Sequence, residues 1–243
     1  MIIDTHCHVD LYPNPKSLIN DLERDGILTI GMTNLPSHFK MGYPHVKNLK
    51  KIRLALGLHP LLASNHFQEL PLFMKYLDYT SYIGEVGLDF SKDGINTKNI
   101  QLDSFEKILQ VVSSKQKILS IHSRKAEKEV LMMLRKHKIK NAIFHWYTGG
   151  LKLIDEIVES GYYFSINTSM IKSINGQKII SRIPKEKILT ETDGPFVKYN
   201  GRIVKSNDIS VIIEYLNIQY NSKMMEGQIY ENFKKLLDRI SDK

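Results

Sequence analysis

Short apolar runs of β-forming residues recur eight times along this chain, separated by longer amphipathic stretches. They fall near residues 2–8, 27–33, 52–57, 81–86, 117–122, 142–146, 162–166 and 187–191. Between them, "NPKSLINDLERDG" ends in Gly26, a helix stop. "ELPLFMKYLDY", "IQLDSFEKILQVVSSK", "EKEVLMMLRKH" and "LKLIDEIVESG" place apolar residues at three- and four-residue spacing. Helices near 207–218 and 224–240 close the chain. Eight strands alternating with helices predict an α/β fold, a (β/α)8 TIM barrel. The main alternative is a doubly wound open sheet, which usually carries a Gly-rich nucleotide loop after its first strand; none is present. No repeat or linker interrupts the pattern, and 243 residues suit one barrel domain over 1–243.

In such a barrel, reactive groups sit at the C-terminal ends of the strands. "DTHCHVD" places His6 and His8 two residues apart, on one side of an extended chain, and turns Cys7 toward the helical layer. "SYIGEVGLD" carries Glu85, "ILSIHSR" His122, "NAIFHWYTGG" His145 and "ILTETDGP" Asp193, whereas "YYFSINT" has no strong ligand. Taken singly, each histidine reads as a hydrogen-bonded structural residue, and Asp193 before Gly-Pro reads as a turn residue. Taken together, so many buried ionisable groups without partners would be costly, and a metal removes the penalty. The single cysteine excludes an internal disulfide and a multi-cysteine zinc site.

The net charge of +8 favours polyanionic partners, nucleic acid first, although a solvated basic face accounts for it equally well. The densest basic stretch, 124–140, reads as the outer face of a helix. "GPFVKYNGRIVKSN" holds Lys198, Arg202 and Lys205 without an acid. It reads as structureless, hanging over the mouth of the barrel. No apolar run approaches the roughly 18 residues that span a membrane, and no signal peptide precedes the first strand. The expected compartment is the cytoplasm.

The stretches "DTHCHVD", "LALGLHP", "GEVGLDF", "IQLDSFEKILQ", "ILSIHSRKA", "HWYTGG", "GYYFSIN", "IPKEKILTETDGPF" and "ENFKKLL", in this order, resemble the TatD family of metal-dependent deoxyribonucleases. That family lies within the amidohydrolase-like barrels. The resemblance covers about residues 2–238. Within the family, "GLHPLL", "ELPLF", "KILSIHSRKAEKEVL", "FHWYTGG" and "ILTETDGPF" look most like the TatD-like nuclease of Qat-type anti-phage defence systems. That likeness implies a defence setting with companion proteins.

The family resemblance implies two divalent ions, Mg2+ or Mn2+, with Zn2+ a further option. His6, His8, Glu85 and Asp193 would hold one ion. Glu85, His122 and His145 would hold the second, with Glu85 bridging where the wider superfamily often uses a carboxylated lysine. Two stretches depart from the family pattern. His145-Trp146-Tyr147-Thr148-Gly149 replaces His-Cys-Phe-Ser-Gly, and "YNGR" replaces His-Arg-Gly.

A positively charged centre suits a phosphodiester and makes a nucleophile of water near neutrality. The expected substrate is DNA, single-stranded or at its ends, degraded as by an exonuclease. Asp193, the candidate general base, and Glu85 are the expected catalytic pair. Arg124, two residues after His122, and His59, in "GLHP", are candidate phosphate or leaving-group contacts, and Arg202 is a third. Trp146, the only tryptophan, is a candidate base-stacking surface. His66 and His137 fall in helical segments and are set aside. Two alternatives remain: hydrolysis of a small amide, lactone or modified nucleotide, and a non-catalytic barrel subunit.

Overall fold

Parallel strands β1 (Ile3–Cys7), β2 (Leu28–Gly31) and β3 (Ile52–Leu54) form one arc. Strands β4 (Leu56–Leu58), β5 (Tyr82–Gly87), β6 (Ile118–His122), β7 (Ala142–His145), β8 (Tyr163–Ile166) and β9 (Ile188–Thr190) form a second. The computed structural model describes residues 1–241. β3 and β4 are one stave bent at Ala55, whose N–H donates to Gly31 at 2.8 Å. Eight staves therefore close a (β/α)8 barrel, as the pattern of apolar runs predicts.

The seam between β9 and β1 is closed partly by side chains. Thr190 Oγ1 donates to the Ile3 carbonyl at 2.6 Å, and Thr5 Oγ1 donates to the Thr190 carbonyl at 3.0 Å. Just beyond, Asp193 N–H donates to the His6 carbonyl at 2.9 Å, and His8 N–H donates to Gly194 at 2.8 Å. These bonds bring the first and last strand ends together, and with them His6, His8 and Asp193.

β1, β7, β8 and β9 are buried at every position, as strands covered by helices on one face and by the barrel interior on the other must be. Inside, Ile30, Met32, Ile83, Ile118 and Phe233 surround a void of about 10 Å³, barely room for one water. The lower barrel is a packed core, so any chemistry is confined to the upper end.

Of the predicted helices, α1 (Pro15–Asp25) starts on an Asn14 cap that accepts from Ser17 N–H and stops at Gly26, φ 72°. The structure adds three helices that the apolar spacing does not show. α2 (Pro36–Val46) contains Gly42 and Pro44, both poor helix formers, yet Pro36 suits the first turn. After α3 (His66–Tyr76), α4 (Lys98–Val112), α5 (Glu127–Lys136) and α6 (Leu151–Glu159), two short helices follow β8. They are α7 (Thr168–Lys172), capped by Asn167, and α8 (Ile174–Arg182), capped by Ser173. α9 (Ile209–Gln219) and α10 (Met225–Ser241) complete the layer. Along the basic stretch, Lys136 pairs with Glu106 and Arg135 with Glu156, which ties α5 to its neighbours.

The 194–207 stretch is not structureless. It folds as a hairpin of β10 (Lys198–Tyr199) and β11 (Arg202–Ile203), turned by Asn200 and Gly201 at φ 50° and 78°. Asn-Gly is the preferred pair for such a tight turn. Among the described residues, no helix is long and apolar enough to cross a membrane.

Candidate metal centre

The upper end of the barrel gathers buried His6, His8, Glu85, His145 and Asp193 and half-buried His122 into one cluster, with His59 beside them. His6 and His8 bring their Nε2 atoms 3.2 Å apart. Glu85 Oε2 lies 3.4 Å from His6 Nε2 and 3.2 Å from His8 Nε2. Asp193 Oδ1 stands 3.6 Å from each. Ligands bonded to one ion at about 2.0–2.2 Å stand about 3.0–3.6 Å apart, so this half of the cluster has the spacing of a coordination shell.

The other half meets Glu85 Oε1. His122 Nδ1 is 2.5 Å away, His145 Nε2 2.7 Å and His59 Nε2 3.3 Å. The two shorter contacts are hydrogen-bond distances, and an ion between these groups would spread them by about half an ångström. Burial works against charge on His122, but its bonds to Asp89 and Glu85 outweigh that and raise its pKa. Burial also opposes charge on His145, yet Glu85 and Glu191 lift its pKa well above the ordinary value. Burial holds the Asp193 carboxyl well above the usual carboxylate range. Glu85 would be raised by its burial too, but His59, His145 and His122 bring it well below. Burial, then His145, push His6 well down, which leaves it neutral and able to ligate. A divalent ion bound here would compete with protons for these donors.

Further residues, not identified from the sequence, hold these donors in place. Asp89 Oδ2 lies 2.8 Å from His122 Nε2, which leaves Nδ1 for Glu85 and the centre. Burial opposes its charge, but the His122 bond and Ser91 lower the Asp89 pKa to about 2. His6 Nδ1 lies 2.8 Å from Ser120 Oγ. Glu191, fully buried, bonds Ser165 Oγ, Asn167 Nδ2 and the Trp146 N–H, and its Oε2 is 3.8 Å from His145 Nδ1. Asp4 accepts from Thr192 N–H and Oγ1 and from Ser206 Oγ, so it fastens β1 to both sides of Asp193. "GLDF" and "TETDG" do contain Asp89 and Glu191, four residues after Glu85 and two before Asp193. Sequence distance alone, however, does not say what they face.

Backbone geometry at the centre is strained at two side-chain-bearing positions. Asp193 has φ 49° and Trp146 φ 35°, both in the left-handed region. At Gly194, a Cβ would lie 1.9 Å from Tyr12 Oη, which itself donates to the Val204 carbonyl at 2.6 Å. Only glycine allows that approach.

The candidate substrate contacts are dispersed. His59 Nδ1 accepts from Leu61 N–H at 3.1 Å, so Nε2 carries its proton and donates toward Glu85. Burial lowers its pKa and keeps it neutral. His66, set aside from the sequence, approaches the His59 carbonyl through Nε2 at 3.0 Å. Arg124 is exposed after β6. Trp146 is partly buried against the core. Both Nη atoms of Arg202 are engaged with Asp208, at 2.8 and 2.6 Å, so the structure gives this guanidinium a carboxylate partner where a phosphate contact was expected. Cys7 is buried, 3.9 Å from the Gly194 carbonyl and outside the cluster.

Comparison with known proteins matches this architecture. The chain is 25% identical to the metal-dependent hydrolase YjjV of Escherichia coli K12, over 82% of this chain and 81% of that one. It is 23% identical to deoxyribonuclease TATDN3 of Homo sapiens, over 88% and 86%. The crystal structure of YjjV superposes with a TM-score of 0.83 at 21% identity, covering 97% of both chains. A TatD family hydrolase from Entamoeba histolytica superposes at 0.81 and 20% identity, again with 97% of both covered. The family model described as TatD related DNase matches residues 3–238, and the chain therefore belongs to that family.

Proposed function

We propose that this protein is a two-metal phosphodiesterase that degrades DNA from single-stranded ends. One observation carries the reading: the two carboxylate oxygens of Glu85 meet different donors, with His6 and His145 stacked where the two sets adjoin. Oε2 faces His6 and His8, and Oε1 faces His122 and His145. A carboxylate so placed can bridge two ions. His6, His8, Glu85 and Asp193 would hold the first, and Glu85, His122 and His145 the second.

When bound, two divalent cations supply positive charge for a phosphoryl group and acidify water; Mg2+ or Mn2+ suits the hard carboxylates, and Zn2+ the imidazoles. The side chains do the rest. Asp193 takes up the proton of the attacking water. Its strained backbone and its bond to His6 fix it beside the two histidines. Neutral His59 keeps its Nε2 proton on the centre side, where it can donate to a phosphate or leaving oxygen. Arg124, exposed just after β6, can pair with a phosphate farther out. The net charge of +8 supports a polyanionic substrate, and several relatives bear deoxyribonuclease names.

We further read the setting as cytoplasmic anti-phage defence with companion proteins of a Qat-type system. Support for that rests on "GLHPLL", "ELPLF" and "FHWYTGG". Linear single-stranded DNA incubated with Mn2+ tests the activity. Degradation that disappears with EDTA and with Glu85→Ala is expected. Activity confined to small amides or esters, or DNA degradation retained by Glu85→Ala, would refute the reading.

A further inference from the structure

Phe196 exposes 58% of its surface at the mouth of the barrel, three residues after Asp193. An exposed phenyl ring is unremarkable on a mobile surface loop, but this one stands on fixed backbone. Phe196 N–H and Val197 N–H both donate to the Asp193 carbonyl, at 3.0 and 3.2 Å. Val197 is buried on one side and Gly194 on the other, where Tyr12 leaves no room for a side chain. The ring meets His8 edge-on, with centroids 5.0 Å apart and planes at 81°. The hairpin that follows begins with exposed Lys198, and Lys205, also exposed, lies two residues past it. A rigid aromatic followed along the chain by exposed lysines offers what holds single strands, a ring for a base and cations for phosphates. Trp146, by contrast, is partly packed against the core.

We propose that Phe196 is a base-stacking platform for the nucleotide at the metal centre. This inference rests on the nuclease reading and deepens it. A base laid on a ring that touches a candidate metal ligand must have left its own helix. The site therefore selects an unpaired nucleotide by its base as well as by its phosphate, and any base serves, because every base has a π-face.

The test compares an oligothymidylate strand with an all-abasic strand of equal length, in Mn2+, for the wild type and for Phe196→Ala, Phe196→Leu and Phe196→Trp. Thermal unfolding verifies that each variant is folded. The wild type is expected to cleave oligothymidylate with a kcat/KM about tenfold or more above the abasic strand. Phe196→Ala and Phe196→Leu should lose that preference, their kcat/KM on oligothymidylate falling to that on the abasic strand, and Phe196→Trp should keep it. Loss of rate on both strands alike, or an unchanged preference in Phe196→Ala, would overturn the stacking role and leave the nuclease reading standing. A wild type that cleaves neither strand would overturn both.

Discussion

Asp89 bonds the far nitrogen of His122, 2.8 Å from Nε2, and so aims Nδ1 at Glu85. A carboxylate behind a ligating imidazole fixes its tautomer and ring plane and raises its basicity. Asp89→Asn is expected to lower metal affinity or activity by about 10–100-fold while leaving DNA binding intact. Metal titration and KM, measured separately, check this. Unchanged metal affinity and kcat would remove Asp89 from the centre.

Metal uptake should release protons. Without metal, His122, His145 and Asp193 all have raised pKa values, so they retain protons at a pH where ordinary histidines and carboxylates have lost theirs. A divalent ion must displace those protons, so affinity rises with pH and falls as acid restores them. Calorimetric titration with Mn2+ in two buffers of different ionisation enthalpy should give different apparent heats. Identical heats would show that no proton leaves.

Cys7 lies between His6 and His8 yet faces Tyr12 and the Gly194 carbonyl. Its sulfur points away from the cluster, which is what keeps it from ligating, and burial and then Asp4 raise its thiol pKa well above the ordinary value. Cys7→Ala should keep full metal content and activity while losing about 1 kcal/mol of stability from the vacated space. Loss of metal from a folded Cys7→Ala protein would contradict the assignment of alternate sides along β1.

Gly194→Ala should be more disruptive than its small size suggests. The added methyl collides with Tyr12 Oη, whose bond to Val204 ties down the hairpin. A loss of about 1–3 kcal/mol is expected, together with reduced activity as Asp193 is displaced. Gly194→Ala combined with Tyr12→Phe should recover part of both. Wild-type stability and rate in the single variant would show that the loop yields freely.

The eight staves were legible because most of their positions are buried on both faces and so read as apolar runs. The candidate ligands were legible because barrel geometry brings strand ends together, however far apart they lie in sequence. α2 was hidden by Gly42 and Pro44, α7 by its five residues, and α8 by Asn175 and Gly176, poor helix formers in its first turn. The hairpin at Asn200-Gly201 carried a readable turn signal, but its strands have only two residues each. Asp89, Glu191 and Asp4 could not be assigned because their partners lie on other staves. Arg202 looked free in a stretch without acids, but Asp208 lies just past its end.

The central claim is that Glu85 bridges two ions. Anomalous scattering from crystals loaded with Mn2+ tests it most directly. Two peaks are expected, one among His6, His8 and Asp193 and one between His122 and His145, each in contact with a different oxygen of Glu85. A single peak, or two peaks that do not share Glu85, would contradict it.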